Sequence, residues 1–181
     1  AQNLYFFIKE LYSNDKDRWL EYYSRSLNNL ALSYSKTNRI DEAIKLQEEA
    51  KKITEEAYLR DKYRWLKYYS TNLNNLANSY YKTNRATDAI KLQEEAKKIT
   101  EEAYFKDKDR WIEDYSRCLI NLAHSYSKTN RTTDAIKLQE EAKKITEEAY
   151  LKDKDRWFGD YSLILNDLAL SYSKTNRIDE A

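Results

Sequence analysis

DAIKLQEEAKKITEEAY fills residues 88–104 and returns letter for letter at residues 134–150. A near copy runs from Asp41 to Tyr58. Around these segments the pairs Arg18-Trp19, Arg64-Trp65, Arg110-Trp111 and Arg156-Trp157 recur every 46 residues. One unit has been copied in tandem, and a fixed period of that length is the signature of a stacked repeat array.

Each copy reads as two helices. In the first, from about Asp17 to Lys36, Trp19, Tyr23, Leu27, Leu30, Ala31 and Tyr34 are spaced by three or four and share one face. In the second, from about Asp41 to Tyr58, Ala43, Leu46, Gln47, Ala50, Ile53 and Ala57 share a face, and Glu48, Lys51, Lys52 and Glu55 form an exposed acid–base ladder opposite. Between the two lies KTNR, where Asn38, Asn84, Asn130 and Asn176 suit a left-handed turn. Asp41, Asp88 and Asp134 fall in the following first turn, at the positive end of the helix dipole. A polar DKDR-type segment joins one copy to the next, and both links are short enough to force antiparallel neighbours. Each helix has one apolar face, so a copy gains its core only when the next copy stacks on it.

Composition agrees. Proline is absent and glycine occurs once, at Gly159, so strands and hairpins have almost no punctuation. The 32 basic and 31 acidic side chains nearly cancel, which gives no field for nucleic acid. A hydrophobic fraction of 41% is too high for a disordered chain. There is no apolar run of membrane-spanning length and no signal-peptide pattern, so a cytoplasmic protein without membrane contact is expected. The single cysteine, Cys118, fits a reducing compartment and occupies the register of Ser26 and Asn72 as a small side chain.

The stretch LNNLALSYSKTNRIDEAIKLQEEAKKI, from Leu27 to Ile53, resembles a tetratricopeptide repeat. Leu27, Leu30, Ala31 and Tyr34 match its first-helix positions, and Ala43 and Ala50 its small second-helix positions. Asn38 stands where the family usually has glycine, and Gln47 where it often has an aromatic. No proline closes the unit, and the period exceeds the usual 34 residues, a feature shared with the long repeats of kinesin light chain and of bacterial signalling members.

The resemblance implies an all-α, right-handed superhelical solenoid of antiparallel helix pairs. Residues 1–14 are expected to end a preceding second helix, 15–60, 61–106 and 107–152 to form full repeats, and 153–181 to supply a further first helix. First helices would line a concave face that holds a peptide or helix of a partner protein. The candidate residues are Arg25, Asn28 and Asn29 in the first repeat, Thr71, Asn74, Asn75 and Asn78 in the second, and Arg117, Asn121 and His124 in the third. An asparagine amide both donates and accepts, which suits it to an extended peptide backbone. The same asparagines would equally serve to solvate a helix face or bridge neighbouring helices.

The outer first-helix positions vary between copies (Arg25, Thr71, Arg117, Leu163; Leu32, Asn78, His124, Leu170), whereas second helices scarcely change. His124 is the only histidine, which removes histidine-based metal clusters and Ser-His or Cys-His catalysis. The carboxylates of DKDR and QEEA repeat in every copy, as structural groups do. No enzyme activity, metal or cofactor is expected. Ala1 falls at the register of Gln47 and Ala181 at that of Ala43, so further repeats are expected on both sides, as is head-to-tail association of the raw ends. The remaining alternative is a spacer or self-assembling rod with an empty groove.

Overall fold

The computed structural model describes residues 2–175; Ala1, Asn176 and Ala181 lie outside the described residues. The described residues form eight α-helices, α1 (Gln2–Asn14), α2 (Lys16–Lys36), α3 (Ile40–Arg60), α4 (Lys62–Lys82), α5 (Ala86–Lys106), α6 (Lys108–Lys128), α7 (Thr132–Lys152) and α8 (Lys154–Lys174). The chain is an all-α repeat solenoid. It divides into two compact units, residues 1–96 and 97–181, and the division falls inside α5.

Caps fix the helix boundaries. Asp15, Asp61, Asp107 and Asp153 each accept a hydrogen bond from the backbone N–H of the Arg three residues on, at 3.1–3.2 Å. These side chains satisfy one orphan donor of each first helix. At the other end, Asn38, Asn84 and Asn130 hold φ at 60–61°, the left-handed conformation expected of them. The next residue's N–H then reaches back to a tyrosine carbonyl, Arg39 to Tyr34 at 2.9 Å and Arg85 to Tyr80 at 2.9 Å. The same arginines stack on those tyrosine rings and bond the following acid: Arg85 lies 3.7 Å from the Tyr80 ring centroid and 3.0 Å from Asp88. In the first repeat the acid so held is Glu42, while Asp41 stands beside it.

In the first unit, α1 packs on α2, α2 on α3 and α3 on α4, with α2 also beside α4. Its cores join Tyr5, Tyr23, Leu27, Leu30 and Ala50 in one cluster and Ile44, Leu76, Ala77, Tyr80 and Ala89 in another. In the second unit α7 lies against α6 and α8, and Ile136 meets Leu168 and Tyr172. The small residues at 43, 50 and 57 are all 0% exposed, which lets the second helices approach their neighbours closely.

Aromatic pairs seal the joints between repeats. Tyr12 stacks on Tyr23, Tyr58 on Tyr69, Tyr104 on Tyr115 and Tyr150 on Tyr161, with centroids 4.5–5.3 Å apart. The expected acid–base ladder is only partly a solvated face. Lys51–Glu55 and Lys97–Glu101 pair at 2.8 Å. However, Glu48 accepts the Tyr80 hydroxyl at 2.8 Å, Glu101 that of Tyr115 at 2.9 Å and Glu147 that of Tyr161 at 2.9 Å. The tyrosines of neighbouring first helices lean over these carboxylates, so the ladder ties helices together.

Candidate functional site

The first-helix faces hold the candidate residues, and each unit builds its own. In the first unit, the α2/α4 face is closed by a polar staple. The Asn28 amide donates to the Ser24 carbonyl at 3.0 Å and to Asn72 Oδ1 at 2.6 Å. The Asn72 amide lies within hydrogen-bonding distance of Ser24 Oγ, the Ala50 carbonyl and Thr54 Oγ1 at 2.9–3.1 Å. Asn75 donates to Asn28 Oδ1 at 3.0 Å. Asn72 is 2% exposed and joins three helices, a bridging role the sequence did not single out.

The structure therefore separates the candidates of this unit. Asn74 is buried and donates to the Ser70 carbonyl at 2.9 Å. Asn28 and Asn75 are half-buried and engaged in the staple, and Thr71 is half-buried. Arg25, Asn29 and Asn78 stand exposed, with Arg25 3.6 Å from Glu21. The carboxylate and the burial of Tyr68 act together, burial first, to raise the phenol pKa above its usual value.

In the second unit the corresponding face, between α6 and α8, is open. Here Ile120, Leu163 and Ile164 take the positions of Asn28, Thr71 and Asn72 two repeats earlier. They floor a cleft of about 200 Å³, which Glu113, Asp160 and Asp167 border. Arg117 and Asn121 line it too, and these two candidates are thus brought together. The Arg117 guanidinium is committed to Asp114, which is 5% exposed, with Glu113 3.8 Å away. His124 is exposed at the same face and lies 2.9 Å from Asp167.

Among the described residues no cluster of histidine, cysteine and acidic side chains is arranged to hold a metal. No described helix is long and apolar enough to cross a membrane. Cys118 is buried in α6 at the register of Asn72, as a small side chain would be.

Known proteins place this geometry. Tetratricopeptide-repeat family models match residues 24–61 and 68–148. No curated protein matches. Among solved structures, the Podosopora anserina putative kinesin light chain nearly identical TPR-like repeats share 20% identity and a TM-score of 0.68, over 86% of this chain and 68% of that one. BtubC (BKLC) from P. vanneervenii shares 19% identity and a TM-score of 0.69, over 90% of this chain and 60% of that one. Aspartyl phosphate phosphatase F from Bacillus subtilis shares 14% identity and a TM-score of 0.58, over 87% and 42%. The chain spans less than two thirds of the latter two, and at these identities the likeness concerns the fold. With two family models matched along most of its length, the chain belongs to the tetratricopeptide repeat family, whose repeats are typically non-enzymatic scaffolds for protein interaction.

Proposed function

We propose that the first-helix face receives a segment of a partner protein, extended or helical, and that the chain works by holding this segment without catalysis. The observation that carries the reading is the open cleft between α6 and α8, where Arg117 and Asn121 stand over an apolar floor. Concave sites with an apolar base and a few convergent polar groups are where ligands seat. Arg25, Asn29, Asn78 and His124, exposed on the same kind of face, extend the surface offered in each unit. Asn28, Asn74 and Asn75 shape it from within. Selection of a phage-displayed peptide library on the wild-type chain and on Arg117→Ala/Asn121→Ala, matched for helicity by circular dichroism, tests this. Peptides retained by the wild type alone support the reading; equal retention by both sinks it.

A second reading, association of copies through α8 and α1, is favoured by two exposed patches. Phe158 and Leu165 are 63% and 37% exposed, whereas Ile112 and Leu119 at the same register are 7% and 0% exposed. On α1, Leu4, Phe6 and Phe7 are 57–58% exposed, Leu4 at the register of the fully buried Ala50. Sedimentation across concentration distinguishes this reading, which requires mass to rise and a Phe158→Ser/Leu165→Ser variant to remain monomeric.

A further inference from the structure

We infer that the α6/α8 cleft selects a cationic protein segment, one in which lysines or arginines flank an aliphatic or aromatic side chain. The inference rests on the docking face proposed above and names the chemistry of its occupant. Register comparison inside the chain supplies the argument. The first unit has Tyr22, Tyr68 and Asn75 at the positions of Asp114, Asp160 and Asp167. Its face therefore carries one carboxylate, Glu21, against two basic side chains, Arg25 and the exposed Lys67. The second unit sets four carboxylates, Glu113, Asp114, Asp160 and Asp167, against Arg117 alone, with His124 against Asp167.

The guanidinium does little to relieve that excess toward an incoming ligand. Arg117 is bound to the buried Asp114, and Asp160 has no ion-pair partner among the described residues. Three carboxylates thus border one opening, in a chain whose overall charge is nearly zero. A negative rim of this kind raises the local concentration of cations and disfavours acidic partners.

The floor sets the second requirement. Replacing the Asn28 and Asn72 staple by Ile120 and Ile164 removes the hydrogen bonds that close the first unit's face and leaves apolar surface in their place. Leu163 stands 65% exposed beside it, where the first unit has Thr71. At about 200 Å³ the cleft falls below the roughly 300–1,000 Å³ of small-molecule sites. It has room for a side chain of a peptide that runs across it, with the peptide's charges reaching the rim.

The test uses two fluorescein-labelled peptides read by anisotropy on the full chain, Gly-Lys-Lys-Leu-Lys-Phe-Lys-Gly and its counterpart with every Lys replaced by Glu. The basic probe should bind about tenfold tighter at low salt, with the preference shrinking as ionic strength rises. Asp160→Asn, alone and with Asp167→Asn, should reduce that preference severalfold. Leu163→Ser should weaken the basic probe, while Asp17→Asn/Asp41→Asn, which neutralises exposed acids elsewhere, should change nothing. Equal loss in that control would overturn the inference as mere bulk charge. Tighter binding of the acidic probe, lost in Arg117→Ala/Asn121→Ala, would overturn it while leaving the docking face intact. Binding of both probes unaffected by every α6 and α8 variant would remove the docking face as well.

Discussion

The Asn28 amide donates to Asn72 Oδ1 at 2.6 Å, and Asn72 in turn reaches Ser24, Ala50 and Thr54, so one buried side chain joins α2, α3 and α4. Asn72→Ala strips partners from polar groups that water cannot easily reach, and should destabilise the chain by about 2–3 kcal/mol. Removing both ends of the bond together is a different matter. Asn28→Ile/Asn72→Ile copies the pair that unit two already carries at those positions, and should cost less than the sum of its single substitutions by at least ~1 kcal/mol. Urea unfolding of the four proteins completes this cycle, and strict additivity would mean that the staple is not coupled.

The tyrosine–glutamate bonds give stability a pH signature. Burial first, and then the bond to Glu49, raise the Tyr23 pKa well above its ordinary value; Tyr69 with Glu95 and Tyr115 with Glu141 behave alike. A phenol whose pKa is raised by folding binds its proton more tightly in the folded state, so its contribution is complete below the unfolded pKa near 10 and fades above it. Thermal midpoints should hold to about pH 9 and fall from pH 10 to 11. A Tyr23→Phe/Tyr69→Phe/Tyr115→Phe variant should fall less steeply over the same interval. A parallel fall would assign the alkaline loss to lysine deprotonation instead.

Much of this was legible because it is periodic. The two helices per copy, the left-handed asparagines and the apolar stripes follow from spacing, and the structure has them. Which asparagines face a partner was harder to read. Asn28 and Asn29 are identical chemically and adjacent in sequence, yet about 100° of helix rotation turns one toward Asn72 and the other toward solvent. Nor does a single helix reveal that Asn72 and Ile164 share a register between neighbouring first helices of their units, where the choice of residue opens or closes the face. That became visible only by comparing copies at one register. The aspartate caps were within reach, since Asp15, Asp61, Asp107 and Asp153 recur three residues before each Arg of the Arg-Trp pair.

The turn asparagines test backbone strain in isolation. At Asn84, φ of 60° is tolerated by asparagine and free for glycine, whereas a Cβ without a side-chain amide gains nothing in return. Asn84→Ala should destabilise by about 1 kcal/mol, and Asn84→Gly should fall within ~0.5 kcal/mol of the wild type. Chemical denaturation of both variants measures this. An alanine variant as stable as the glycine one would show that the turn adjusts elsewhere.

Arg60 and Asp61 are neighbours in sequence with opposite expectations. Arg60 reaches Asp17 at 3.1 Å, but the two side chains are 61% and 81% exposed, so solvent and salt screen the pair. Arg60→Ala should therefore change stability by less than ~0.5 kcal/mol. Asp61 is also exposed, but its Oδ1 accepts the Arg64 N–H at 3.1 Å where α4 begins, one residue after α3 ends. Asp61→Ala orphans a backbone donor at the one-residue link between α3 and α4 and should cost about 1 kcal/mol, while Asp61→Asn or Asp61→Ser should recover most of it. Because an asparagine or serine cap carries no charge, that recovery would assign the effect to capping geometry. If neither substitution restored stability, it would belong instead to the attraction between the aspartate and the helix dipole.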